Sequence, residues 1–258
     1  MRRIKRTLGR FFWEISDTSF KVVALICLLI ACNEVQEKTT SDEKQIAAKT
    51  ITFYQSLDSL GDEINSRFLL PPKYERVQSK TDSFAHYLQN FLLKPTNSPV
   101  LLFDGTKKYR QDVHEAVLDI DVGKRDLQQC ADAIMRLRAE YLWQQNRFED
   151  IHFNFNNGFN AAYKRWRNGE RIRVKGNQVS WVKSSQPSDS YDVFRKYLTM
   201  VFAYAGTYSL AKEMEPQRLE NIEIGYVFIQ GGSPGHAVLV MDKSIHSETG
   251  EVLILLAQ

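Results

Sequence analysis

The 258-residue chain has few cysteines, little net charge outside its N-terminus, and no apolar run long enough to cross a bilayer. Of its three cysteines, Cys27 lies inside an apolar N-terminal run, Cys32 closes that run, and only Cys130 belongs to the body. A single body thiol excludes an internal disulfide framework and is either buried and inert or chemically used. Residues 1–31 hold Arg2, Arg3, Lys5, Arg6, Arg10 and Lys21 against Glu14 and Asp17, a surplus of +4. The chain's net charge is +3, so the body is near −1. Such a body has no electrostatic footprint for nucleic acid. The sequence also lacks HExxH, CxxC and a His pair at i, i+4, which disfavours metal catalysis, and no cofactor is expected. It has no P-loop and no internal repeat, and its one match to the letters G-x-S-x-G, Gly231-Gly232-Ser233-Pro234-Gly235, is followed by an apolar run that reads as strand where a nucleophile elbow needs a helix. Hydrophobic residues at 43% and charged residues at 25% are those of an ordinary globular protein.

The N-terminus reads as a targeting segment. Basic residues precede Phe20 to Ala31, an apolar stretch of about 12 residues interrupted only by Lys21. That is shorter than the ~20 residues of a membrane span and fits a signal-peptide core. The run ends Leu29-Ile30-Ala31-Cys32, which resembles the lipobox of bacterial lipoproteins. The resemblance implies that residues 1–31 are removed and Cys32 carries lipid, anchoring the protein to a membrane on the exported side. Asn33, rather than Asp, implies no retention at the inner membrane. The leader Met1 to Ser19 is long for such a peptide. Residues 32–50 are polar, lack aromatics beyond the cysteine and read as a tether. Residues 51–258 are expected to form one α+β domain.

Periodicity gives the elements. Phe53, Tyr54, Leu57, Leu60, Ile64 and Phe68 have helical spacing, weakened by Gly61. Tyr74 to Val77 suggests a short strand. Phe84, Tyr87, Leu88, Phe91 and Leu92 predict a helix capped by Asp82 or Ser83. Val100 to Phe103 and Ala116 to Val122 read as strands, and the alternation in the second puts Asp119 and Asp121 on a solvated face. Asp126 and Gln129 have capping-box spacing, and Leu127, Cys130, Ile134, Leu137 and Tyr141 follow along one face of a long helix. Ile151 to Phe155 is a strand, and Phe159 to Trp166 contains a short helix. A hairpin turns at Gly176-Asn177, and a helix carries Phe194 to Tyr204. Tyr163, Trp166 and Trp181 are either core or the lining of a sugar or peptide groove.

Two stretches carry chemistry. From Gly225 to Asp242, two apolar runs flank Gly231-Gly232-Ser233-Pro234-Gly235, and His236 opens the second run. Proline and glycines exclude helix there, so His236 is expected at the first residue of a buried strand, beside an uncrowded loop. Cys130 is expected in the first turn of its helix or just beyond, where free N–H groups and the positive dipole end favour a thiolate. Each residue also has a plainer use: His236 as a strand cap, Cys130 as a small core residue.

The blocks DLQQCADAIMRLRAEYLW, VFAYAGTYSLAKEM and GGSPGHAVLVMD, with the terminal LLAQ, resemble an uncharacterised family of bacterial exported proteins, a domain of unknown function. The likeness runs from about Ile64 to the end. Tyr226 stands where the resemblance implies an aspartate after Gly225, and the family continues into a further segment past Gln258. Cysteine at a helix start followed by histidine at a strand start is similar in layout to papain-like thiol hydrolases, including cell-wall amidases. This implies a mostly antiparallel sheet, with the helix carrying Cys130 packed on it. It also implies a Cys130 nucleophile and a histidine base. His236 is favoured over His86, His114, His152 and His246 because it enters an apolar strand beside the glycine loop. A hairpin centred near residue 247 would bring Gln258 opposite His236 to orient its ring. The substrate class implied is a peptide or cell-wall amide. The other class consistent with the residues is a non-catalytic envelope lipoprotein binding a protein partner or glycan.

Overall fold

The structure is a computed structural model that describes residues 57–258. The signal, the tether, Cys32 and the start of the first expected helix lie outside the described residues. The body is a mixture of helices and antiparallel sheets.

The central element is β7, His236–His246, whose middle is the most buried strand of the fold. Three strands pair with it. β1 (Tyr74–Arg76) and β6 (Val227–Gln230) lie end to end along one edge, through Tyr74↔His246 and Gln230↔His236. β8 (Val252–Ala257) lies along the other edge. Two further hairpins stand apart from this sheet: β2 (His152–Asn154) with β3 (Asn160–Ala162), and β4 (Glu170–Lys175) with β5 (Gln178–Lys183). The second turns at Gly176-Asn177, as the sequence predicts, with Gly176 at φ 57°.

Helices cover the sheet. After the single-turn α1 (Ile64–Arg67) comes α2 (Phe84–Gln89), capped by Ser83, whose Oγ accepts from His86 N–H at 3.1 Å. The long α3 (Cys130–Gln144) packs on β7. It is buried on most sides, with Ala131, Ile134, Met135, Leu137, Ala139, Tyr141 and Leu142 all in the core. α4 (Tyr163–Arg167) follows β3. α5 (Tyr191–Phe202) buries Phe194, Tyr197, Leu198, Val201 and Phe202 at the 3,4 spacing of an amphipathic helix. α5 runs antiparallel to α3: Trp143 near the end of α3 meets Tyr191 and Phe194 at the start of α5. Tyr163 and Trp166 are core residues, packed on Tyr197. α6 (Thr207–Glu213) then leads towards the sheet.

Several expectations change. Among the described residues, the helix expected over 51–68 is only Ile64–Arg67. A β-carbon on Gly61 would come within 2.6 Å of the Ser66 carbonyl carbon, so the chain at Gly61 crosses against α1 instead of continuing it. Val100 to Phe103 and Ala116 to Val122 are not strands; each makes one isolated bridge, Leu101↔Lys107 and Leu118↔Leu93. Asp119 and Asp121 are solvent-exposed, in keeping with their alternation.

The β7–β8 register also departs from a turn centred near residue 247. Ile245 pairs with Val252, which moves the centre towards the chain end, and an irregularity between Val240 and Asp242 shifts the register once more. Leu239 then pairs with Ala257, and Gln258, one residue on, comes level with Val238 instead of His236.

Candidate functional site at the start of helix α3

α3 begins at Cys130, one turn later than the Asp126 cap expected. Residues 126–127 form a turn, and Gln129 takes an extended conformation (φ −97°, ψ −166°). Gln129 N–H donates to Asp132 Oδ2 at 3.2 Å, so the capping pair is Gln129 with Asp132. Cys130 is therefore the first helical residue. The N–H groups of Cys130 and Ala131 have no backbone acceptor, as expected of a helix start. The Cys130 side chain is half-buried against the core and makes no hydrogen bond among the described residues.

Asp132 was not foreseen. It is 7% exposed, and its Oδ1 has no partner. Burial pushes its carboxyl up to about 7, against the opposing pull of the Gln129 N–H. A carboxyl in the first turn normally stabilises a helix as an anion. Held partly neutral, this one leaves the positive end of α3 less compensated.

His236 opens β7 as expected, and its side chain is exposed. The loop before it is shaped by α6. Thr207 Oγ1 donates to Gly232 O at 3.1 Å, and side chains on Gly231 or Gly235 would meet Ala211 or Thr207. The glycines thus serve close approach between loop and helix as well as the turn. The peptide Ser233–Pro234 is cis.

The helix start and the strand start are linked through α5 and α6. Leu127 and Gln128 border Thr199 and Phe202 near the end of α5, and five residues further Thr207 holds the loop preceding His236. Cys130 and His236 nevertheless share no hydrogen bond, and Gln258 is exposed and bonds neither of them. The other described histidines have different surroundings. His86 contacts Asn90 at 3.3 Å, His114 contacts Ser98 O at 3.2 Å, and His246 Nδ1 accepts from Thr249 N–H at 3.1 Å. His152, exposed on β2, interacts electrostatically with Glu213.

Behind the helix start lies a buried polar cluster. Arg136 Nε donates to Glu140 Oε1 at 2.5 Å, and Tyr191 Oη donates to the same oxygen at 2.7 Å. Arg136 Nη1 also reaches Gln128 Oε1 at 3.2 Å. Burial and the Glu140 carboxylate push the Tyr191 phenol up to about 12. A cavity of about 210 Å³ separates the loop 122–128 from α5. Among the described residues no three His, Cys, Asp or Glu side chains are grouped to hold a metal, and no helix is long and apolar enough to cross a membrane.

Fold and site together define a protein of mixed helices and antiparallel sheets in which Cys130, the one cysteine among the described residues, opens the long helix α3. A family model described as a domain of unknown function (4846) matches residues 64–258, and the chain belongs to that family. No curated protein and no solved structure matches the chain.

Proposed function

We propose that the protein is an exported, lipid-anchored thiol hydrolase of papain-like layout, acting on peptide or cell-wall amide bonds. The observation carrying this reading is that Cys130 is the first residue of α3, and α3 packs on the strand that His236 begins. In the reaction, Cys130 Sγ attacks the amide carbonyl and His236 takes the thiol proton. His236 then gives that proton to the departing amine, leaving a thioester that water cleaves. The N–H groups of the α3 start, which have no backbone acceptor among the described residues, are the proposed donors to the carbonyl oxygen as it gains negative charge. His236 must turn towards the sulfur on substrate binding, since the two share no hydrogen bond in the free protein; catalytic bonds are often long before substrate arrives. Gln258 is the proposed orienter only if the end of β8 shifts along β7 towards His236.

The experiment is amine release from peptide and peptidoglycan-fragment amides by the purified protein. Activity lost in both Cys130→Ala and His236→Ala supports the reading, and activity retained in either removes it. The half-buried packing of Cys130 and its lack of a hydrogen bond favour a second reading, a non-catalytic envelope lipoprotein that binds a partner or glycan. Absence of release from every amide tested would favour that one. Lipid anchoring has its own test: metabolic lipid labelling present in the native chain and absent in Cys32→Ser. Label persisting in the variant would contradict it.

A further inference from the structure

The cavity of about 210 Å³ beside the α3 start has an unusual wall. Lys124, Arg125 and Arg195 line it, and no carboxylate does. Arg195 is fixed by Asp121, whose Oδ2 accepts from Nη2 at 2.6 Å. Its Nη1 is buried and has no partner among the described residues. An unpaired buried donor costs about 1–3 kcal/mol, so its persistence calls for an explanation.

Gln128 adds a second donor. Its Oε1 lies 3.2 Å from Arg136 Nη1. A guanidinium only donates, so the oxygen must face Arg136 and the amide NH2 must point elsewhere. That NH2 makes no hydrogen bond among the described residues. Leu127 and Phe202 supply an apolar part of the wall. Cations, a free amide donor and a short apolar stretch suit a carboxylate on a brief aliphatic stem. Gln128 stands two residues before Cys130, so one wall of the cavity leads into the helix that Cys130 opens.

We propose that this cavity binds the carboxylate of an acidic residue in the peptide substrate and thereby sets which amide bond reaches Cys130. The inference rests on the thiol-hydrolase reading for its use, but binding is separable from cleavage. Arg195 and Gln128 make the polar contacts, Lys124 and Arg125 add long-range attraction, and Asp121 holds Arg195 in place. Nη1 is turned away from solvent in the free protein, so the Arg195 side chain has to move for Nη1 to meet the ligand.

The test is calorimetric binding to the full chain carrying Cys130→Ala, so that no turnover intervenes. The probes are a short glutamyl peptide with a blocked C-terminus, its glutaminyl counterpart and inorganic phosphate. The glutamyl peptide should bind at least tenfold more tightly than the glutaminyl one and weaken with salt. Arg195→Gln should remove that preference. Because Arg195 also pairs with Asp121, Lys124→Met provides a surface control, expected to weaken glutamyl binding severalfold with an unchanged unfolding midpoint. Equal binding of the two peptides, or full binding by Arg195→Gln, overturns the proposal. Phosphate competing as strongly as the glutamyl peptide overturns carboxylate selectivity. Glutamyl-selective binding without hydrolysis by the native chain keeps the pocket and removes the hydrolase reading. Hydrolysis indifferent to the acidic residue does the reverse.

Discussion

Two polar clusters are buried against the same core, and their hydrogen bonds are in opposite condition. At Asp242 on β7 the polar atoms are answered. Arg76 Nε lies 2.6 Å from Oδ2 and Gln89 Nε2 lies 2.8 Å from Oδ1. The remaining Arg76 nitrogens donate to Asn65 O at 2.9 Å and Phe68 O at 2.8 Å. Around the α3 start, Asp132 Oδ1 and, on α5, Arg195 Nη1 have no partner among the described residues, and Cys130 has no hydrogen bond there. A closed network fixes a fold, whereas unanswered buried groups persist where something other than stability keeps them. The comparison marks Asp242 as architecture, and the open bonds around the α3 start are what the thiol-hydrolase proposal expects of a site.

The largest effect should separate the two in activity. Cys130→Ala should lower amide hydrolysis by about 10³-fold or more while shifting unfolding by only about 1 kcal/mol. Parallel assay and urea titration check this, and a large stability loss with activity intact would reverse the assignment. Next, Asp242→Ala leaves the part-buried Arg76 charge without its carboxylate and should cost about 3 kcal/mol, read from the urea midpoint. A cost under about 1 kcal/mol would show that the network is not structural.

The third effect depends on pH. The Asp132 carboxyl rises from 3.8 to about 7 on folding. Between those values the folded state holds the extra proton, so stability contributed by this group falls as pH rises from about 4 to about 7. Asp132→Asn removes that slope. It should match the native protein near pH 4 and exceed it at pH 8, by up to ~4 kcal/mol. Identical slopes for both proteins would mean that Asp132 is solvated. The smallest effect is expected at the exposed Lys73–Glu248 pair, 2.9 Å apart, where Lys73→Ala should cost at most about 0.5 kcal/mol.

Much of the scaffold was legible because its elements are long and periodic. The amphipathic stripe of α5, the Gly176-Asn177 hairpin and the two runs around the glycine loop all express local rules. Ala116 to Val122 misled because alternation reports a half-buried extended chain, not a sheet edge to join. That segment is extended beside residues 92–94, with Asp119 N–H donating to Leu92 O at 2.8 Å and Lys94 N–H to Val117 O at 2.8 Å. The start of α3 was misplaced by one turn because Asp126 and Gln129 satisfy the same spacing rule as Gln129 and Asp132.

At the site, Cys130 and His236 were legible as the starts of a helix and a strand. The level of Gln258 was not, since one bulge near Met241 and a shifted turn suffice to move it. Arg195 and Gln128 gave no sequence signal. They matter through a loop and a helix that are far apart in the chain, and that proximity is set only by packing.

The most direct measurement is the alkylation rate of Cys130 by iodoacetamide at neutral pH, in a chain carrying Cys27→Ser and Cys32→Ser so that one thiol remains. The rate is measured folded, in urea, and folded with His236→Ala. The account predicts that the folded chain reacts at least as fast as the unfolded one, and that His236→Ala slows the folded reaction about tenfold or more. A thiol that reacts only after unfolding, indifferent to His236, would contradict it and leave Cys130 as a packing residue.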